Sequence, residues 1–230
     1  MDMIYPRICP LCNEVLWEKD VRVCGKCRDE IEYITQPFCM KCGKSIDDEE
    51  GEYCSDCRRH EHLFTAGRAV FQYKNDIRRS IHGFKYKNKR EFAPFYGEEI
   101  EKCLGRWISS VAPDALIPVP LHRKKQSQRG YNQAELIADE VGRRFSIPVV
   151  NDLVYRVKRT VPQKELSDDL RKKNMKKAFK LAENIVKLDV VMVIDDIYTT
   201  GSTMDAISEV LKDGGVNEIY CLSLSIGNGF

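Results

Sequence analysis

The chain has 230 residues and a mass of 26.6 kDa, enough for one ordinary domain and a small satellite and too little for a second large domain. With 43% hydrophobic and 31% charged residues it can bury a core, and it does not read as a disordered protein. Its 37 basic and 35 acidic side chains sum to +2, a balance that neither requires nor excludes an anionic partner.

Eight of the ten cysteines fall in four pairs of identical internal spacing: Cys9/Cys12, Cys24/Cys27, Cys39/Cys42 and Cys54/Cys57. Two residues between cysteines form a knuckle that aims both sulfurs at one cation, and two knuckles complete a tetrahedral four-thiolate site with no position left for chemistry. Two structural zinc ions are therefore expected in a module spanning 1–62. Disulfide clusters or redox centres are the alternative that four evenly repeated knuckles disfavour. The sequential pairing, first knuckle with second and third with fourth, gives tandem zinc ribbons. A cross-braced arrangement would use the same residues. Gly25 and Gly43 are expected at the positive-φ positions such knuckles use. The opening MDMIYPRICP has no secretory apolar segment, and no run approaches the ~20 residues of a membrane span, so a cytoplasmic location with reduced cysteines is expected.

From 63 to 230 the pattern is α/β. Residues 66–73 read as a strand, 76–85 as a short basic helix, and 91–110 as a helix carrying Ile100, Cys103, Leu104 and Trp107 on its apolar face. A proline-broken strand covers 115–120 and an amphipathic helix 131–145. A highly charged stretch fills 156–180. The continuous apolar run 190–196 reads as a buried parallel strand. A helix over 202–212 and a last strand over 218–226 complete the chain, with Cys221 on that strand. Cys103 and Cys221 are both expected as buried small hydrophobes. Strands alternating with helices imply a doubly wound, mainly parallel sheet, whose ligands belong at the carboxyl ends of its strands.

The string VMVIDDIYTTGST (191–203) places two acids, Asp195 and Asp196, between a buried strand and a loop. That loop, Thr199, Thr200, Gly201, Ser202 and Thr203, offers hydroxyls and backbone N–H groups at a helix start, a cradle for phosphate. It lacks the GK[ST] ending of a Walker loop. Carboxylates repel phosphate but suit vicinal ribose hydroxyls, so a ribose 5-phosphate satisfies both halves. An ordinary strand end with a capped turn is the plainer reading, and the full string argues against it.

This string resembles the 5-phosphoribosyl-1-pyrophosphate (PRPP) motif of type I phosphoribosyltransferases. With the cysteine array, IHGFKYKNKR (81–90), IPVPLH (117–122), RGYNQAELIA (129–138) and TVPQKELSDDLRKKNMKKAF (160–179), the chain is similar to the ComF family over nearly its whole length. The resemblance implies a type I phosphoribosyltransferase fold with a small hood behind a double zinc ribbon. It implies that Asp195 and Asp196 hold the ribose, that Thr199–Thr203 hold the 5′-phosphate, and that Val119, Pro120, Leu121 and His122, followed by Arg123, form the pyrophosphate loop. Mg²⁺ would accompany PRPP. Glutamine-driven amidotransfer needs an N-terminal cysteine, which Met1-Asp2 does not supply, so that activity is not expected.

Eight basic residues against one acid lie between Arg68 and Arg90, and ten against three between Arg156 and Lys180. Arg78, Arg79, Lys85, Lys87, Lys89, Arg90 and Arg129, interleaved with Phe71, Tyr73, Phe84, Tyr86 and Tyr131, are expected to hold single-stranded DNA. Solvated helix faces and side chains serving PRPP itself remain the alternative. The family's link to natural transformation implies handling of incoming single strands, with DNA-uptake proteins as further partners. Two functions stay open: a PRPP-binding competence protein, and an active phosphoribosyltransferase with an unidentified acceptor.

Overall fold

The structure, a computed structural model, describes residues 6–18, 20–47, 51–157, 178–182 and 187–227. In it the even step of the cysteine pairs becomes a repeat of twice that length, because alternate knuckles take different conformations. In the first, the N–H of Cys9 donates to Glu14 O and that of Asn13 to Cys9 O; in the third, Cys39 and Gly43 make the equivalent bonds to Lys44 O and Cys39 O. The residue after the second cysteine has positive φ in both, Asn13 at 67° and Gly43 at 78°, and both residue types tolerate the left-handed region. The second and fourth knuckles instead open short helices, α1 (Gly25–Asp29) and α2 (Ser55–Arg59). Gly25, expected at a positive φ, is thus a first helical residue and needs none.

The chain then runs β1 (Ala66–Gln72), α3 (Asn75–Tyr86), a 3-10 turn (Arg90–Phe92), α4 (Ala93–Val111), β2 (Ala115–Pro118), α5 (Arg123–Arg129), α6 (Gln133–Phe145), β3 (Val154–Arg156), β4 (Phe179–Leu181), β5 (Val190–Tyr198), α7 (Ser202–Asp213) and β6 (Glu218–Ile226). Four strands form a sheet in the order β1-β6-β5-β2, with every neighbouring pair parallel. The β3–β4 pair is antiparallel and separate. Alternation along β5 explains the two layers. Val191 and Val193 point into a core shared with Met204, Ile207 and Leu211 of α7, whereas Met192 and Ile194 point into one shared with α3, α4 and α6. All four β5 side chains are fully buried, which is why the run lacks a polar alternate. This is the expected class: an α/β, mainly parallel sheet behind a double zinc ribbon, consistent with the type I phosphoribosyltransferase fold.

The ribbons straddle the edge strand β1. Cys9, Leu11, Val23 and Cys27 join the core under α3 and α4, while Cys39, Cys42 and Cys54 join the core on the α7 side. The segment between them pairs with β1: Ile34 N–H donates to Val70 O at 2.9 Å, and Gln72 N–H to Glu32 O at 3.2 Å. An open sheet edge is thereby covered.

Helix α5 and strands β3 and β4 are not among the elements expected from the sequence. Helix α5, sequence RKKQSQR, has no apolar stripe to read; the His122 side chain caps it at one end and Gly130, at φ 76°, stops it at the other. The β3–β4 pair flanks the charged stretch, of which 158–177 lie outside the described residues. One burial expectation is corrected. Cys103 is exposed, because the covered face of α4 shifts along the helix, from Tyr96, Glu99 and Ile100 in its first half to Leu104, Trp107 and Ile108 in its second, and leaves Cys103, on the Tyr96 side, uncovered. Cys221 is buried as expected.

Candidate functional site

The eight paired cysteines assemble into two groups, Cys9/Cys12/Cys24/Cys27 and Cys39/Cys42/Cys54/Cys57, with the sulfurs of each group within 4.8 Å of one another. Sequential pairing is therefore what the chain adopts. Four thiolates about 2.3 Å from one zinc stand about 3.8 Å apart, and the Cys12–Cys24 and Cys42–Cys54 sulfurs lie at 3.8 Å and 3.7 Å. A disulfide would bring them to about 2.0 Å, and all ten cysteines are free. Hydrogen bonds from Cys42 and Cys57 hold the Cys39 thiol well below its ordinary range, and the same bonds push Cys42 and Cys57 up. Four such thiols cannot all ionise without a positive charge at their centre.

The second centre lies at the carboxyl ends of β2 and β5. These strands are adjacent and parallel, with Pro118 opposite Ile194, so the loops that leave them emerge on one side of the sheet. Val119 anchors the first loop: its N–H donates to Ile194 O at 2.9 Å, and its carbonyl accepts from Asn132 Nδ2 at 3.0 Å. Val119 is also 6% exposed. With both backbone groups and its side chain engaged, it supports the loop, and the contact surface falls to Pro120, Leu121, His122 and Arg123.

On β5, Asp196 is buried and pairs with Lys85 Nζ at 2.8 Å. Asp195 is half-buried and accepts from the Asp196 N–H at 2.8 Å. Burial, reinforced by the neighbouring Asp196 carboxylate, pushes Asp195 up to about 7. For Lys85 burial acts downward, but Asp196 and Asp195 outweigh it and hold the amine above its ordinary value. Further cations gather here. Partial desolvation, then the charges of Arg156, Arg129 and Lys85, bring Lys125 below its ordinary value, and Arg156 couples to Asp195 against its own burial. Like charges crowded in this way favour an anion. After β5, Thr199 and Thr200 are exposed, Ser202 and Thr203 half-buried, Thr200 Oγ1 lies 3.1 Å from Ser202 Oγ, and Gly201 turns into α7 at φ 77°. Acids, cations and a hydroxyl-rich loop thus face one region. A cleft of about 340 Å³ elsewhere, between the first ribbon and α3, is lined by Glu30, Glu32 and Asp76 against Lys74; that acidic rim is unsuited to a polyanion.

Two comparisons with known proteins bear on this arrangement. A family model described as a double zinc ribbon domain matches residues 1–58. Competence protein F of Haemophilus influenzae is 32% identical over 216 residues, covering 88% of this chain and 90% of that protein. The chain belongs to the ComF family. Further relatives are competence protein ComFC of Bacillus subtilis, 26% identical over 92% of this chain and 91% of its own, and DNA utilization protein YhgH of Escherichia coli K12, 27% identical over 94% and 96%.

In this ComF chain the RGYNQ segment, whose Arg129 and Tyr131 are expected on a DNA surface, supports the site from within. The Tyr131 hydroxyl donates to Phe84 O and so fixes the last turn of α3, from which Lys85 reaches Asp196. Asn132 caps α6 through Ala134 N–H at 3.1 Å while holding Val119. Gln133 Oε1 accepts from Arg129 Nη1 at 2.8 Å. Lys125 and Arg156 were missed as site residues. Their charges were visible, but nothing local tells which members of a basic run turn inward.

The expected DNA surface is only partly assembled. Lys85 belongs to the acid pair. Phe71 and Phe84 are fully buried and Tyr131 is 7% exposed, so these three serve the core and cannot stack on bases. Tyr86, 60% exposed, keeps an open ring, with Arg129 over it at 4.7 Å. Arg78, Arg79, Lys87 and Arg90 are exposed and Lys89 half-buried. Arg79 is paired with Asp76 and Lys89 with Glu91 at 3.5 Å. Among the described residues no helix is long and apolar enough to cross a membrane.

Proposed function

We propose that this chain binds PRPP with Mg²⁺ at the β2/β5 site and serves DNA uptake, holding single-stranded DNA on the adjacent basic surface. The convergence of the Asp195–Asp196 pair, the Lys85, Lys125, Arg129 and Arg156 charges and the Thr199–Thr203 loop carries this reading. Acids suit ribose hydroxyls, the loop suits a 5′-phosphate, and the cations suit pyrophosphate. Mg²⁺ would offset the charge of the bound pyrophosphate. A role in DNA uptake is supported by relatives named competence protein F, ComFC and DNA utilization protein. Asp195→Asn combined with Asp196→Asn is expected to fold, keep its zinc and lose Mg·PRPP binding; calorimetry showing unaltered binding would refute the site.

A second reading is phosphoribosyl transfer. The same cations would suit departing pyrophosphate as the anomeric carbon becomes oxocarbenium-like. Pyrophosphate release from Mg·PRPP that depends on one acceptor supports the enzyme; binding without release leaves a PRPP-responsive DNA-handling protein.

A further inference from the structure

The wall behind the phosphate loop is built by a residue from the zinc module. His62 follows helix α2 and is 6% exposed. Its Nδ1 lies 2.8 Å from Asp205 Oδ2, its ring stacks on Phe64 at 4.9 Å, and its Nε2 is 3.4 Å from the Tyr198 hydroxyl. Asp205, in the first turn of α7, also accepts from Leu63 N–H at 2.9 Å, and its own N–H donates to Gly201 O at 2.8 Å. One carboxylate therefore clamps the exit of the second ribbon to the start of the helix that follows the loop.

Gly201 rests directly on this cluster. A Cβ there would come within 2.7 Å of His62 Cε1 and 3.0 Å of its Nδ1, and would overlap the Tyr198 hydroxyl. With φ at 77°, the position needs glycine for conformation and for space alike. The inner side of the loop is thus filled, by Tyr198 at the end of the acid-bearing strand and by His62 from the ribbon. Tyr198 in turn shares a core with Cys39, Cys42 and Cys54.

We propose that His62 is a positioning residue for the phosphate loop, held by Asp205 so that the second zinc ribbon forms the floor of the PRPP site. This rests on the PRPP reading above. Packing alone does not account for an imidazole here, because an apolar side chain of similar size would fill the space. What imidazole adds is the polar link to the half-buried Asp205, and a hydrogen bond to a carboxylate is worth more than one between neutral groups.

The test separates link from packing by measuring affinity for ribose 5-phosphate, the half of PRPP that faces this loop. In His62→Leu, which keeps the bulk, binding is expected to weaken on the order of tenfold with both zincs retained. In His62→Asn, whose amide nitrogen reaches the place of Nδ1, affinity should stay within about threefold of wild type. A leucine variant that binds as wild type, or an asparagine variant as weak as leucine, overturns the proposal. Should His62→Leu fail to hold zinc, Asp205→Asn alters the same link from the other side with little change of shape; it is expected to show the same loss, and unchanged affinity overturns the proposal. If wild type binds neither ribose 5-phosphate nor Mg·PRPP, the PRPP reading falls and takes this one with it. Wild-type binding with indifferent variants sinks the role of His62 alone.

Discussion

At Asp195 a carboxyl group is held in an environment that resists its charge. Burial and the Asp196 carboxylate raise it to about 7, against about 3.9 in an unfolded chain. The folded state then binds the proton more tightly. The resulting stabilisation is complete below the unfolded value and is lost as pH rises from about 4 to about 7. Asparagine has no such titration. Asp195→Asn is therefore expected to melt several degrees above wild type at pH 8, with the gap narrowing toward pH 5; thermal melts across that range check the sign. Strain of this kind suits a site that receives its counter-charges with a ligand. Lys85, at 2.8 Å from Asp196, supplies one of those charges permanently, which is why the pair tolerates burial at all.

Among the elements, the third knuckle shows how a metal module is made part of an α/β domain. Gly43 lies against β1, and a Cβ there would meet Gly67 O at 2.7 Å and Arg68 Cα at 2.9 Å, both backbone. Lys41 O accepts from Gly67 N–H at 2.6 Å in the same contact. Gly43→Ala is expected to cost on the order of 2 kcal/mol, since neither the positive φ nor the β1 backbone can yield cheaply. Denaturant melts measure this, and a change under about 0.5 kcal/mol, the level of an ordinary surface substitution, would show that the ribbon docks loosely. The repeat partner Asn13 takes the same backbone conformation without glycine, so conformation alone does not demand glycine at 43. The close approach to β1 does.

For the whole molecule, two cores and two metal centres behave as one unit because each ribbon contributes to the layer on its own side of the sheet. Removing zinc should therefore reach beyond the first 58 residues. A strong chelator is expected to release two zincs per chain and to lower the melting temperature of the entire protein in a single transition; release of none would sink the metal assignment, and an unmoved transition would show the ribbons to be independent. Basic side chains and an exposed ring on and beside α3 carry the expectation for DNA. Three phosphate contacts weaken single-strand binding roughly tenfold to twentyfold between 50 and 200 mM salt. Lys87→Glu with Lys89→Glu should flatten most of that dependence, and Tyr86→Ala should remove one stacking contact, about 1–3 kcal/mol. Lys85 is no probe of this surface, since reversing it would place a third acid beside Asp195 and Asp196. Filter binding at two salt concentrations decides; equal affinity at both counts against a nucleic-acid surface.

What the sequence determined by itself is what local spacing can encode. Four CxxC knuckles specify eight ligands, because sulfurs that share a cation must be presented in pairs. The apolar run before Asp195 and Asp196 specifies a central strand, because a strand covered on both faces has no polar alternate, although the strand continues past the acids to Tyr198. The last strand, 218–226, is legible to the residue from the largely apolar run that follows the Gly214–Gly215 helix stop. The tertiary structure alone decided matters that depend on residues far apart in the chain meeting across a fold. It chose sequential over cross-braced metal pairing, turned Lys85 from a DNA contact into the partner of Asp196, and buried Phe71 and Phe84. It also gave Tyr131, Asn132 and Gln133 their supporting bonds and brought His62 to an aspartate 143 positions away. A lysine or histidine carries the same local pattern on a solvated face as in a site. Only the packing of α3, β5, α7 and the second ribbon around one strand end separates the two.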